Sequence, residues 1–315
     1  MHVLVTGAAG FIGSHMAERL LSGGHRVTAV DSFHPYYPRA IKERNLAVVR
    51  VHPAARFLEL DLAKADLAEA TDGIDAVVHL AAQAGVRASW GREFAGYLDC
   101  NVLATQRLLE ATRGKRLHAW IYASSASVYG DDALDRVSET ALPSPHSPSG
   151  VTKLAGEHLA LLYLRNHGTP ALSLRFFSVY GPRERPDKAI QKFLTAARRG
   201  EGIRVHGDGT QRRDFTYVGD VVDATVAALS KSPVGAVANI ARGKTVSLSE
   251  VIDTVRRVTG APLLATHGPS EKGDVRVTSA DISVARRLLG YDPKTDLAAG
   301  VARQWEHVRA DPACA

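Results

Sequence analysis

His2-Val3-Leu4-Val5-Thr6-Gly7-Ala8-Ala9-Gly10-Phe11-Ile12-Gly13 decides how the chain is read: an apolar run, three glycines at GxxGxxG spacing, then a helical pattern from Phe11 to Leu21. A short strand, a glycine-rich turn and a helix follow one another directly. Gly7 permits the tight turn, Gly10 lets backbone N–H groups approach a pyrophosphate, and Gly13 allows helix and strand to pack closely. The first two glycines stand one residue further apart than in the older dehydrogenase pattern. A second strand, Arg26 to Val30, ends at Asp31. A carboxylate there accepts hydrogen bonds from a ribose diol and repels a 2′-phosphate, so NAD is expected rather than NADP, although Arg39 and Lys42 are near in sequence. Asp61 directly follows the third strand, at the edge where such sheets bind ligands; a capping aspartate is the other reading.

Outward from this unit the alternation continues. Ala55 to Leu60, Ala76 to Leu80, Ala119 to Tyr122 and Ala171 to Phe177 are short apolar runs, and Asn101 to Thr112 and Gly150 to Asn166 are helical stretches between them. Strands buried on both faces and separated by helices imply an α/β fold, a Rossmann-type doubly wound parallel sheet. The loop Ser32 to Pro38 is the first irregular stretch. After Pro182 short strands (Ile203 to Val205, Ala236 to Ile240) mix with helices (Val221 to Leu229, Ser249 to Val258). The last helix carries Leu297, Val301, Trp305 and Val308 on one face. The expected division is an NAD-binding Rossmann domain, 1–181, and a smaller mixed α/β C-terminal lobe, 182–315, holding the substrate, with more than one crossing between them allowed.

Composition narrows the function. At 315 residues the length suits two domains or one large α/β domain. Apolar residues at 45% and charged residues at 23% exclude disordered, collagen-like and coiled-coil chains. Cys100 and Cys314 make no disulfide framework, and no CxxC or CxxxH cluster offers a zinc site. No metal is expected, and a reducing, cytoplasmic compartment fits. The N-terminus lacks a basic segment followed by a long apolar stretch, so no signal peptide is expected. No run approaches about 18 consecutive apolar residues, so no membrane span is expected. The net charge of +6 and pI near 9.4 raise nucleic acid as a partner. The basic residues are scattered, however, and no helix carries a Lys/Arg stripe with aromatics, so a basic cleft for an anionic small molecule is the preferred use.

Further motifs follow in order: HLAAQAGVR (His79 to Arg87), YASSASVYG (Tyr122 to Gly130), GVTKLAGE (Gly150 to Glu157), LRFFSVYGP (Leu174 to Pro182) and RRDFTYV (Arg212 to Val218). With TGAAGFIGSH at the start, the chain resembles, over nearly its whole length, the extended short-chain dehydrogenase/reductase family of NAD-dependent nucleotide-sugar epimerases and dehydratases. Two segments are most similar to its UDP-glucuronate and UDP-galacturonate 4-epimerases. One is DSFHPYYPRAIKERNLA from Asp31; the other is VYGPRERPDKA, where Arg185-Pro186-Asp187 matches that branch's RPD element. The resemblance implies that Arg185 faces the C6 carboxylate of a UDP-uronate, a task suited to a planar guanidinium fork. A surface arginine capping the next helix is the alternative.

The resemblance also implies the cofactor set: Gly7, Gly10, Phe11, Ile12, Gly13, Asp31, Asp61, Leu62, Leu80, Ala81, Ala82 and Lys153 around NAD. For the substrate it implies Arg213 at the diphosphate and Ser178 near it, Gln83 and Arg87 at the sugar, Ser125 at O4, and Ser127 among the substrate-binding residues. Arg87 reads equally as a loop ion pair. Near Gly273-Asp274-Val275 relatives carry an arginine where this chain has Glu271, with Lys272 beside it. A homodimer through Asn101 to Thr112 and Gly150 to Asn166 is implied as well.

In such a family NAD takes a hydride from the sugar C4 while the tyrosine of a YxxxK element removes the O4 proton. Its lysine, here Lys153, holds the nicotinamide ribose and lowers the phenol pKa. The tyrosine position holds Ser149, in Ser147-Pro148-Ser149-Gly150-Val151-Thr152-Lys153. Tyr129 and Tyr163 stand at the wrong spacing to substitute. A serine hydroxyl is far less acidic than a phenol and too short for its place, so activity in this form should be strongly reduced. Either the residue was changed to trap a substrate complex, or the protein naturally runs weakly or not at all. Two residues after Ser125, Ser127 stands where UDP-glucuronate decarboxylases have glutamate, which argues against decarboxylation. The leading expectation is therefore an NAD-dependent UDP-uronate 4-epimerase impaired at one position. A neutral UDP-hexose 4-epimerase and a non-catalytic NAD- and nucleotide-sugar-binding protein are the alternatives.

Overall fold

A computed structural model describes residues 1–130, 136–269, 276–311 and 314. The first half runs β1 (His2–Thr6), α1 (Phe11–Ser22), β2 (Arg26–Asp31), α2 (Arg39–Asn45), α3 (Ala47–Val51), β3 (Ala55–Glu59), β4 (Ala76–His79), α4 (Phe94–Tyr97), α5 (Ala104–Thr112), β5 (Ala119–Ser125) and α6 (Pro148–His167). There follow β6 (Ala171–Phe176), β7 (Ser178–Tyr180), α7 (Ala189–Arg199), β8 (Ile203–His206), β9 (Arg212–Arg213), β10 (Phe215–Tyr217) and α8 (Val218–Lys231). The chain closes with β11 (Val237–Ile240), β12 (Val246–Ser247), α9 (Leu248–Thr259), β13 (Ala265–Gly268), α10 (Ser283–Leu289) and α11 (Leu297–Ala310).

Seven strands form one parallel sheet in the order β11-β6-β5-β4-β1-β2-β3. Both faces are covered, as the unbroken apolar runs require. Val3 and Val5 of β1 face α1 and α8, packing with Met16, Leu20 and Val221. Leu4, one residue out of phase, joins Val77, Trp120, Leu108 and Ala160 under α5 and α6 on the other face. β1 has β2 on one side and β4 on the other, so the connections diverge there and a crevice opens beyond the strands' C-terminal ends.

β11, from the C-terminal half, pairs in parallel with β6, and α8 and α10 cover the sheet beside it, so the chain returns to the first lobe after residue 182. α7, α9, α11 and β8 make a separate core around Ile190, Leu194, Val251 and Val301. Leu297, Val301 and Val308 of the last helix are buried there, and Trp305 packs against them.

Two elements differ from the sequence reading. β5 extends to Ser125 rather than stopping at Tyr122, which carries the serine to the sheet edge. The helix expected from Asn101 starts earlier, with α4, and passes through a π-helical turn, Leu98–Leu103, into α5. Such turns come from tertiary packing, and this one turns Asn101 inward, where it is buried.

α6 starts on a complete cap. Ser147 accepts the Gly150 N–H through Oγ, Pro148 opens the first turn, and Gly168 ends the helix in the left-handed region. Its interior is tied to the sheet by a buried ion pair: Arg175 of β6 donates from Nε and Nη2 to Glu157 and from Nη1 to the Tyr129 hydroxyl. Tyr129 in turn donates to Asn239 Oδ1 of β11 at 2.7 Å. Removing one member of such a pair strands the other charge. Glu157→Gln should therefore cost about 3–5 kcal/mol of stability, read from urea denaturation at neutral pH; a loss below about 1 kcal/mol would show that the pair behaves as an exposed one.

Candidate active site

The crevice at the switch between β1 and β4 holds a cavity of about 310 Å³. Backbone shape makes one wall of it. Gly7 has φ +69°, and a Cβ there would lie 2.8 Å from the Ala81 nitrogen. A Cβ on Gly13 would collide with the Gly7 carbonyl oxygen, and one on Gly10 would stand 3.0 Å from it. Only glycines leave this cradle open at the N-terminus of α1, where N–H groups and the helix dipole favour a phosphate. The Asn45 amide donates to the Ala9 carbonyl and steadies the loop.

Asp31 ends β2 on the same wall. Its Oδ2 accepts the Ala9 N–H at 3.1 Å and its Oδ1 the Phe33 N–H at 2.8 Å. Burial raises its pKa and the nearby Lys42 opposes that rise. Phe11, Ile12, Leu62, Leu80, Ala81 and Ala82 supply apolar and backbone surface along the cleft. Asp61 lines it too, and its Oδ1 accepts the Ala63 N–H in a local turn. A glycine cradle, a carboxylate at the end of β2 and a narrow apolar slot fit a dinucleotide such as NAD.

Below the cleft floor lies a chain of buried hydrogen bonds. The Ala81 N–H donates to Thr6 Oγ1, which donates to His79 Nδ1 at 2.7 Å. His79 Nε2 meets Thr105 Oγ1 at 3.0 Å, and Thr105 donates to the Asn101 carbonyl. This arrangement assigns a neutral Nε2–H imidazole. Asn101 Oδ1 accepts the Gln83 N–H, and its amide donates to the Gln83 carbonyl and to Thr152 Oγ1. Thr152 donates to the Ser149 carbonyl.

At the proton-handling end, Ser125 caps a short turn. Its oxygen accepts both the Ser127 N–H at 3.1 Å and the Ser127 hydroxyl at 2.9 Å, so its own proton is free to point into the cleft. Lys153 lines the cleft one turn along α6 from Ser149, donating from Nζ to the Ala123 carbonyl at 2.8 Å, above the Tyr122 ring. Burial lowers its pKa to about 8. Ser149 is buried in the first turn of α6 and does not line the cleft.

Gln83, Ser178 and Arg185 line the cleft as well. Three other expected residues do not reach it. The Ser127 hydroxyl is turned to Ser125. The Arg213 guanidinium donates to the carbonyls of Arg212 and Arg276. Arg87 sits in a 3-10 turn beyond the loop that follows β4. Glu271, Lys272 and Gly273-Asp274-Val275 lie outside the described residues. Sequence reading gave no site role to Tyr36, Tyr37 and Lys188 on the cleft wall and named Lys42 only for its nearness to Asp31. The signal for Tyr36 and Tyr37 was the crowd of aromatics in the loop after Asp31, whereas Lys188 stands in the VYGPRERPDKA segment. Among the described residues no group of His, Cys, Asp or Glu could hold a metal ion, and no helix is long and apolar enough to cross a membrane.

Residues 3–241 match the NAD dependent epimerase/dehydratase family. The chain is 41% identical over 306 residues to an uncharacterised UDP-glucose epimerase of Bacillus subtilis, covering 96% of each. It is 34% identical over 307 residues to the UDP-glucuronate 4-epimerase of Thermodesulfobacterium geofontis, covering 96% of this chain and 94% of that one. It superposes on the crystal structure of UDP-glucuronic acid 4-epimerase from Bacillus cereus, in complex with UDP-glucuronic acid and NAD, with a TM-score of 0.95. That match has 40% identity and covers 98% of this chain and 99% of the other.

The buried histidine gives the site a pH signature. Burial first, and then the Lys153 charge, press the His79 pKa down to about 3, against about 6.5 when unfolded. A depressed folded pKa contributes stability that is whole above pH ~6.5 and is lost progressively as pH falls towards 3. Between pH 7 and pH 5 the wild type should lose about 2 kcal/mol more than His79→Gln. Urea midpoints at both pH values measure this; equal losses in the two proteins would mean that His79 is not held neutral.

Proposed function

The chain belongs to the NAD dependent epimerase/dehydratase family, and from that premise we propose that it is a UDP-uronate 4-epimerase, interconverting UDP-glucuronate and UDP-galacturonate, with Ser149 in place of its proton-transferring tyrosine. The observation that carries the uronate reading is Arg185, a guanidinium only 15% exposed, set in the wall of the cleft. The likeness to epimerases of UDP-glucuronate supports it.

When bound, NAD supplies the hydride acceptor and donor at the sugar C4. Gly7, Gly10 and Gly13 would seat its pyrophosphate, Asp31 its adenosine ribose and Lys153 its nicotinamide ribose. Ser125, its oxygen filled by two donors from Ser127, would direct its proton at the sugar O4 and hold that atom. Arg185 would bind the C6 carboxylate and Ser178 the region near the diphosphate, with Gln83 at the sugar and Arg213 turning in from its carbonyls. Position 127 offers no carboxylate to assist loss of CO2. At 149 a hydroxyl of ordinary acidity cannot take a phenol's part, so the O4 proton lacks an efficient acceptor. Exposed Leu98, Leu103, Val151 and Leu162, on the π turn, α5 and α6 side, support a homodimer through those helices.

One observation favours a neutral UDP-hexose as substrate. Asp187 already pairs with Arg185 and offsets its charge. Arg185→Met separates the readings: UDP-glucuronate should bind at least tenfold more weakly, as expected of a charged hydrogen-bonded pair, with UDP-glucose little affected. Unchanged UDP-glucuronate affinity by calorimetry would remove the carboxylate assignment.

Restoring the phenol tests the chemistry. Proton transfer by a positioned base contributes about 10²–10⁴-fold, so Ser149→Tyr should raise epimerase turnover by about two orders of magnitude or more, with similar substrate affinity. Its rate should rise with pH through a tyrosine pKa lowered by Lys153, a rise the serine form lacks. Chromatography of the two UDP-uronates, at equal NAD occupancy, measures it. A serine form already as fast would sink the assignment of position 149; a tyrosine form that binds but stays inactive would point to a non-catalytic binding protein.

A further inference from the structure

We propose that Asp187 is a positioning residue for Arg185, gripping the guanidinium from outside the cleft so that its unused edge meets a substrate carboxylate; the proposal rests on the uronate reading above. Arg185 donates from Nε to Asp187 Oδ1 at 2.9 Å and from Nη2 to Oδ2 at 2.8 Å. Arg185 lines the cleft, as do Tyr36 and Lys188, whereas Asp187 does not. A guanidinium carries five N–H donors in a rigid fork. Asp187 takes the Nε–Nη2 side edge. The end-on pair on Nη1 and Nη2 is left, and it matches a second carboxylate bidentately.

The plane of the fork is held as well. The Tyr36 ring lies 5.3 Å from the guanidinium carbon, and the Tyr36 hydroxyl is 3.5 Å from Asp187 Oδ2. Tyr36 belongs to the loop after β2 and Arg185 to the segment after β7, so the clamp joins two cleft-lining segments remote in sequence. Charge points the same way. Arg185 and Lys188 face Asp187 and the buried Glu184, whose pKa burial pushes up to about 7, so the two acids do not fully offset the two cations at neutral pH and a positive excess remains. A uronate carboxylate neutralises it, and a hydroxymethyl group does not. A fork fixed before binding loses little freedom when it engages its ligand.

The test uses NAD-loaded protein and calorimetric titration with UDP-glucuronate, UDP-glucose and UDP. Asp187→Ala should weaken UDP-glucuronate about tenfold and leave UDP-glucose and UDP within about twofold. Asp187→Asn, which still accepts one N–H, should recover part of the loss. In an Arg185→Met background, Asp187→Ala should have no further effect on UDP-glucuronate, because the two residues act as one. UDP-glucuronate affinity that is unchanged or tightened in Asp187→Ala overturns the proposal, the second case making Asp187 a competitor for the fork. Equal weakening of all three ligands also overturns it, as a general structural loss. The two levels separate cleanly: UDP-glucuronate affinity surviving Arg185→Met defeats the uronate reading, whereas affinity lost in Arg185→Met but kept in Asp187→Ala defeats only the role of Asp187.

Discussion

One run of buried hydrogen bonds holds the site in place, from the Ala81 N–H through Thr6, His79 and Thr105 to Asn101, and from the Asn101 side chain to Gln83, Thr152 and the Ser149 carbonyl. It passes through β1, β4, the π turn, α5 and α6 in sequence. An unpaired buried donor or acceptor costs about 1–3 kcal/mol, so no link can shift without penalising its neighbours. The ends of β1 and β4 and the first turn of α6 therefore form one rigid body. The glycine cradle, the loop carrying Gln83 and the Lys153 ammonium keep their spacing because each is fastened to that body.

Much of this was legible in the chain, and the legible part has a common cause. The glycine turn, Asp31 and Lys153 lie in short contiguous motifs whose chemistry is set by backbone and strand ends, and the structure brings them all to one cleft. The strand–helix alternation likewise translated into sheet order, because strands covered on both faces leave few topologies open. Directions of long side chains were not legible. Arg213 turns to main-chain carbonyls and Ser127 turns to Ser125, and both choices depend on neighbours remote in sequence or on local turn geometry. Asn101 escaped notice for a related reason: helical spacing alone predicts a regular turn there, and packing replaced it with a π turn.

The pairing of lobes was the hardest feature to foresee. β11 carries no motif of its own, yet it completes the main sheet and brings Asn239 to the Tyr129 hydroxyl and so to the Arg175–Glu157 pair. α1 also reaches across, through His15 Nε2 at the Pro182 carbonyl and Glu18 at Arg183. Arg183 itself has φ +66°, a left-handed conformation costly for a residue with a Cβ. The helix that opens the phosphate cradle is thus bolted to the segment that carries Arg185. Movement of that segment would be felt at the cradle.

Position 149 shows how a fold can be indifferent to the chemistry it houses. The hydrogen-bonded network uses the carbonyl of residue 149, which every amino acid supplies, and makes no use of its side chain. The cap of α6 depends on Ser147 and Gly150, and its attachment to the sheet on Glu157 and Arg175. Lys153 is held by the Ala123 carbonyl and the Tyr122 ring, again without help from residue 149. Its lowered pKa follows from burial, with no compensating anion beside it among the described residues. At neutral pH the ammonium still carries most of its charge, so a group that became anionic nearby would be stabilised and would raise the lysine in return. The electrostatic half of a proton-transfer pair is therefore built into the scaffold, independent of whether the side chain at 149 can use it.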